Sequence, residues 1–303
     1  MIGISEDSPL TINHSLNLLM TVQEARQDLV NSLVNIYDKA EASNITELVM
    51  EYITRWSRTE QVNNKDIPFS FAQISLLENI TDRLLKHEPV QYIISEAWFA
   101  GMKFYVDKNV LIPRPETEEL VDWLIRDCSK ETRHFKILDI GTGSGCIAIA
   151  IKNKLPDVEM WACDVSDAAL TVARMNADGL NAAIDFVPLD FLDNEQRKQL
   201  GVFDIIVANP PYVPQKDKSP MRKNVLDYEP HVALFVSDDD QLIFYEAIAD
   251  FGKEHLKDEG QIYLEIHEEI GGKVTELFTR KGYSSIELKK DLEGKDRMVK
   301  ISK

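Results

Sequence analysis

The chain has 303 residues, sets 34 Lys and Arg against 51 Asp and Glu for a formal charge of −17, and is 44% hydrophobic. That length supports one large or two ordinary domains with a sizeable core, and the acidity argues against a phosphate backbone or an anionic membrane as a default partner. No window approaches 18 uninterrupted apolar residues and Met1 to Leu10 holds no basic segment leading into an apolar one, so a cytoplasmic enzyme is expected.

Cys128, Cys146 and Cys163 are odd in number and include no Cys-x-x-Cys pair, which points to buried small hydrophobes and not to disulfides or a zinc knuckle. His14, His87, His134, His231, His255 and His267 are scattered without ligand spacing, so no metal is assigned.

From about residue 12 to 93 apolar positions recur at three and four, as in Leu16, Leu19, Met20 and then Leu29, Leu33, Ile36, Tyr37, which predicts helices. Thr46 is expected to precede a further helix through Leu48, Val49, Tyr52, Ile53 and Trp56, with Glu60 to Asp66 as its exit loop. Two more helices are expected at Phe71 to Asn79 and Ile80 to Lys86, with Pro89 ending the set. The segment 1–93 therefore reads as a small all-α domain, for recognition or as a purely structural cap. Tyr92-Ile93-Ile94, Trp98 to Val106 and Val110-Leu111-Ile112, broken by Gly101 and by Asp107-Lys108-Asn109, read as a β-hairpin linker over 94–115. Pro115 suits the first position of the next helix, and Glu116, Glu118 and Glu119 suit the positive end of its dipole.

Strands and helices then alternate over 116–303. Strands are expected at Ile137 to Ile140, Glu159 to Cys163, Ile184 to Val187, Phe203 to Val207, Gln261 to Ile266, Ser285 to Leu288 and Met298 to Ile301. Helices are expected at Cys146 to Lys154 and, capped by Ser166 or Asp167, to about Ala177. The fold class is α/β, a Rossmann-like, doubly wound, parallel sheet of seven strands.

The turn Gly141-Thr142-Gly143-Ser144-Gly145 lets backbone amides approach a ligand, and Asp164 at the end of the second strand can take both hydroxyls of a ribose. A glycine turn alone does not separate a dinucleotide from S-adenosylmethionine. The Gly-x-Gly-x-Gly spacing is one residue shorter than the dinucleotide pattern, which favours a nucleoside without a pyrophosphate. Asp139 could hold a methionine ammonium, and Phe191 could stack on adenine.

The strand Phe203 to Val207 runs into Ala208-Asn209-Pro210-Pro211-Tyr212, where two adjacent prolines stop both ladder and helix. Asn209 offers an amide oxygen, Pro210 a carbonyl, Pro211 a rigid bend and Tyr212 a flat face, together a socket for a planar NH2 group.

Asp139-x-Gly141-Thr142-Gly143-Ser144-Gly145 followed by Asn209-Pro210-Pro211-Tyr212 resembles the S-adenosylmethionine-dependent amino methyltransferases. Pro89-Val90-Gln91-Tyr92-Ile93, the run Val110 to Glu118 with its Pro-Arg-Pro-Glu-Thr-Glu, and the tail Asp291 to Arg297 resemble the PrmC (HemK) family of peptide chain release factor N5-glutamine methyltransferases. The resemblance implies that Gly141 to Gly145, Asp164, Phe191 and Asn209 contact S-adenosylmethionine, with S-adenosylhomocysteine as product, and that Asn209 to Tyr212 hold the substrate glutamine of a class I release factor. No metal, no membrane, no stable nucleic-acid complex and a monomer are expected alongside. Ser95 and His267 stand where that family has Gly, both expected outside the pocket, and Val236 to Asp240 replace a more Gly-rich loop. Two rivals use the same features: an adenine-N6 or cytosine-N4 methyltransferase, with Lys216, Lys218, Arg222 and Lys223 as a small basic loop, and a non-catalytic S-adenosylmethionine-binding protein.

Overall fold

A computed structural model describes residues 20–131, 133–219 and 221–303; the helical reading at Leu16 and Leu19, and His14, lie outside them. Two compact units divide between Lys86 and His87.

In the first unit, α1 (Val22–Leu33), α2 (Lys39–Thr54), α3 (Arg58–Asn63) and α4 (Phe71–Leu84) bury Leu29, Leu33, Val49, Met50, Ile80 and Leu84. Each helix begins at a side chain that takes up orphan amides: Thr21, Ser57 and Ser70 form capping boxes with Glu24, Glu60 and Gln73, and Asp38 accepts from Ala40 and Glu41. Three expectations are corrected here. Thr46 lies inside α2 and not before it, because its hydroxyl donates back to the Ala42 carbonyl and is satisfied within the helix. The polar run after Trp56 contains α3, started by the Ser57–Glu60 box, and residues 71–84 form one helix with no break at Asn79.

The second unit opens with α5 (Val90–Ile94), so Pro89 begins a helix instead of ending one, and Tyr92 to Ile94 are helical and not a strand. Four of its five residues are buried, which explains why a helix turn looked like an apolar strand. The hairpin β1 (Ala97–Phe99) and β2 (Met102–Phe104) turns at Ala100 and Gly101, both with positive φ, 50° and 74°. Val110 to Ile112 join no strand. Next, α6 (Pro115–Cys128) starts at Pro115 as expected.

The remaining elements build the sheet: β3 (Lys136–Ile140), α7 (Cys146–Lys154), β4 (Glu159–Asp164), α8 (Asp167–Gly179, capped by Ser166), β5 (Asp185–Pro188), α9 (Asn194–Arg197) and β6 (Phe203–Ala208). The short pieces β7 (Val213–Pro214), α10 (Lys223–Tyr228), α11 (His231–Leu234) and β8 (Phe235–Val236) follow, then α12 (Ile243–His255), β9 (Leu256–Glu265), α13 (Gly271–Arg280), β10 (Ser285–Lys290) and β11 (Asp296–Ser302).

The seven strands are ordered β10-β11-β9-β6-β3-β4-β5. Six strands share one direction and β11 alone runs against them, antiparallel to both β9 and β10, so the sheet is mostly and not wholly parallel. The physical reason is the tight loop Asp291 to Lys295, closed by the Asp291 N–H to Lys295 carbonyl bond, which can only join antiparallel neighbours. Apolar clusters cover the two faces of the sheet, and Cys128, Cys146 and Cys163 are buried and free, as read. Among the described residues no helix is long and apolar enough to cross a membrane.

Candidate active site

Chain order fixes where a ligand can enter. From β3 the chain winds outward through β4 and β5, then returns to place β6 on the other side of β3, so the reversal lies between β3 and β6. Ile140 pairs with Ala208, so the glycine turn and Asn209 leave the sheet from adjacent, level positions. On one flank Ile140 pairs with Cys163, just before Asp164, and the Leu189 amide donates to the Asp164 carbonyl. On the other flank Ala208 pairs with Leu264, just before Glu265. Register therefore brings Phe191, Asp164, Gly141, Asn209 and Glu265 to the carboxyl edge of the sheet from five separate stretches of sequence.

A cleft opens along that edge, lined by Gly141, Gly143, Asp164, Phe191, Asn209, Pro210 and Pro211. Asp164 Oδ2 accepts from the Gly143 amide at 2.9 Å and Oδ1 from the Ser166 amide at 2.9 Å, so the carboxylate is aimed by backbone and keeps one lone pair on each oxygen. Phe191 is both wall and core, its ring edge-on to Phe251 at 5.2 Å. Thr142, Ser144 and Gly145 lie behind the cleft. Thr142 donates to Asp139 Oδ2 at 2.6 Å. Gly145 holds φ +82° where a Cβ would meet Ile149 Cδ1 at 3.1 Å and Ala173 Cβ at 3.2 Å, so it packs α7 against α8. Asp139 is fully buried, and burial lifts its carboxyl to about 7 against the Thr142 bond. Asp139 Oδ1 and Ser144 Oγ find no hydrogen-bond partner within the protein. A cationic, hydrogen-bonding ligand end beside the glycine turn fits those two orphaned oxygens.

Pro210, Pro211 and Tyr212 continue into a second cavity that Asn209 also borders, with Leu111, Arg114, Met221 and Val225 among its walls. Asn209 Nδ2 donates to Thr117 Oγ1 at 3.1 Å, and Thr117 Oγ1 donates to Glu265 Oε2 at 2.6 Å. Tyr212 donates to Glu265 Oε1 at 3.3 Å, and Tyr245 to the Glu265 carbonyl at 3.0 Å. Burial raises the Glu265 carboxyl to about 7, opposed by the Thr117 bond and the Arg297 charge. His267 lines neither cavity, yet its ring packs at 5.9 Å on Tyr212, closer to the site than the sequence suggested.

The sequence reading missed Thr117, Glu265 and the pair formed by Arg114 Nη2 with the buried Glu229, at 2.6 and 2.7 Å to its two oxygens. The signal was present in part. Thr117 and Arg114 belong to the Pro-Arg-Pro-Glu-Thr-Glu run, but their partners lie 148 and 115 residues away in sequence.

Residues 24–94 match the family described as PrmC N-terminal domain, and residues 120–227 that described as methyltransferase small domain. The release factor glutamine methyltransferase of Flavobacterium psychrophilum is 41% identical over 285 residues, which cover 93% of this chain and 99% of the relative. That of Bacteroides thetaiotaomicron is 41% identical over 268 residues, 88% of this chain and 95% of the relative.

The chain belongs to the release factor glutamine methyltransferase family.

As a member of the release factor glutamine methyltransferase family it is an S-adenosylmethionine-dependent methyltransferase. Among solved structures, the hMettl16 catalytic domain in complex with a 3'UTR hairpin is similar with a TM-score of 0.52 at 16% identity, covering 77% of this chain and 82% of that one, a likeness of fold alone. Ser95 ends α5 with φ +56°, the left-handed conformation that glycine adopts without cost.

Proposed function

We propose that this enzyme moves the methyl group of S-adenosylmethionine to the side-chain amide nitrogen, N5, of the glutamine in the GGQ motif of class I release factors. It would act as a monomer, without metal, membrane or stable nucleic-acid partner. The observation that supports the reading is the level register of Ile140 and Ala208, which brings Gly141, Gly143, Asn209, Pro210 and Pro211 to one cleft, with Tyr212 in the adjoining cavity. Gly141 to Gly145, Asp164 and Phe191 hold the donor, with Thr142, Ser144 and Gly145 supporting the cradle from behind. Asn209, Pro210, Pro211 and Tyr212 hold the glutamine. We further propose the division into a recognition domain at 1–93, a hairpin linker at 94–115 and a catalytic domain at 116–303.

A carboxamide nitrogen is a poor nucleophile because its lone pair is delocalised into the carbonyl. Asn209 Oδ1 and the Pro210 carbonyl accept its two hydrogens, which favours pyramidalisation as the new bond forms, while Tyr212 covers its plane. S-adenosylmethionine supplies a methyl group made electrophilic by the sulfonium. No side chain need act as a base; the rate comes from in-line placement, an effect that can supply about 7–11 kcal/mol, and from exclusion of water by apolar walls. The deciding experiment is incubation with labelled methyl donor and, in parallel, a release factor, its Gln→Ala form at the GGQ motif, duplex DNA and RNA. Label is expected in the intact release factor alone, and label in DNA or RNA instead would overturn the reading.

A further inference from the structure

The chain of hydrogen bonds behind Asn209 has a direction. An ionised carboxylate only accepts, and a hydroxyl carries a single proton. Thr117 spends that proton on Glu265 Oε2 at 2.6 Å, so toward Asn209 the hydroxyl can only accept. Asn209 must then present its NH2 to Thr117, as it does at 3.1 Å, and its Oδ1 is left for the cleft that Asn209 lines. A reversed amide would set Oδ1 against an oxygen with no proton left to give. The second oxygen of the same carboxylate accepts from Tyr212. Thr117 and Glu265 are 3% and 2% exposed and line neither cavity; they meet the socket through Asn209 and Tyr212. A buried carboxylate is costly, and an apolar residue of similar volume would serve packing better.

We propose that Thr117 and Glu265 are positioning residues: the carboxylate, relayed through one hydroxyl, fixes which end of the Asn209 amide faces the substrate and, from its other oxygen, sets the Tyr212 ring. This rests on the reading of Asn209 as the acceptor for the glutamine NH2. The relay also explains why residues from α6, from the end of β6 and from the end of β9 must meet at one point for the socket to acquire a polarity that Asn209 alone would lack.

The test is a double-mutant cycle in the full-length enzyme with a release factor as substrate, measuring kcat, KM, donor Kd by calorimetry and Tm for Thr117→Val, Thr117→Ser, Glu265→Gln, Asn209→Ala and the Thr117→Val/Asn209→Ala pair. Thr117→Val is expected to lower kcat about 10- to 100-fold with donor Kd held within about twofold, and Thr117→Ser to restore it, since one charge-assisted hydrogen bond carries an effect of this order. In the Asn209→Ala background Thr117→Val should cost less than about twofold, because the group it acts through is gone. Should Thr117→Val fail to bind the donor through misfolding, Glu265→Gln, which keeps size and one acceptor, is expected to lower kcat about 3- to 10-fold on the same footing. Wild-type kcat in both Thr117→Val and Glu265→Gln, or an equal loss from Thr117→Val with and without Asn209, would overturn the relay. Near wild-type turnover by Asn209→Ala would instead remove the reading beneath it.

Discussion

The donor side and the acceptor side of the cleft are built in different ways. The donor side is local: glycine amides, Asp164 and Phe191 follow the ends of consecutive strands, and backbone does most of the shaping, as when the Gly143 and Ser166 amides aim Asp164. The acceptor side is assembled from afar, since Asn209 is held by a residue 92 positions earlier and Tyr212 by one 53 positions later. Side-chain relays of this kind require three elements to pack correctly before the site acquires its polarity. A backbone cradle tolerates changes around it; a relay does not.

The two sides should therefore respond differently to substitution. The largest effect is expected from Asn209→Ala, with turnover falling about 10²- to 10³-fold, as for loss of one aimed polar group, while calorimetry still shows donor binding. Comparable donor affinity and turnover in that variant would erase the distinction between the sides. Arg114→Met leaves Glu229 buried without its cation, so chemical denaturation should reveal a loss of about 3 kcal/mol. That loss should shrink in acid, because burial already raises the Glu229 carboxyl and a proton can replace the guanidinium. On the donor side Gly145→Ala should cost only about 1–2 kcal/mol, from the left-handed backbone and the tight approach of Ile149 and Ala173, and weaken donor binding more than kcat.

Acidity sharpens the comparison further. Glu265 faces Arg297, Glu116, Tyr212 and Tyr245, and its carboxyl lies near 7, as does that of Asp139 on the donor side. Both are raised, so neither burdens the fold below about pH 4, and the cost of ionising them in place grows until the pH passes about 7. Stability should fall across that window and Glu265→Gln should flatten its share, read from Tm against pH. Turnover should move the opposite way, rising through about pH 7 as the relay gains its acceptor, and Glu265→Gln should abolish that limb. The smallest effect belongs to neither side. Ser95→Gly relieves a left-handed residue and should add about 1 kcal/mol without altering kcat.

The sheet strands, the glycine turn and the start of α6 at Pro115 were legible because each is written in neighbouring residues: a β-branched run, a spacing, a proline before acidic residues. Tyr92 to Ile94 misled because a buried single turn of helix and a buried strand are both continuous apolar runs. Thr46 misled because a threonine satisfied inside a helix looks, in one dimension, like a cap. The place of β11 could not be read, since strand order depends on loop closure and not on strand composition. Thr117 and Glu265 were invisible for a similar reason: each is an ordinary polar residue until the fold sets one against the other.

The position of β11 bears on how the protein is made. Residues 296–302 fill an interior slot between β9 and β10, and Met298, Val299 and Ile301 are wholly enclosed there. During vectorial synthesis the sheet must wait with an open gap until these residues emerge, and Arg297, bonded to the Ile266 carbonyl behind Tyr212, arrives with them. A chain cut before Asp296 would thus lose an interior strand of the sheet rather than a fringe, and with it the Arg297 side chain.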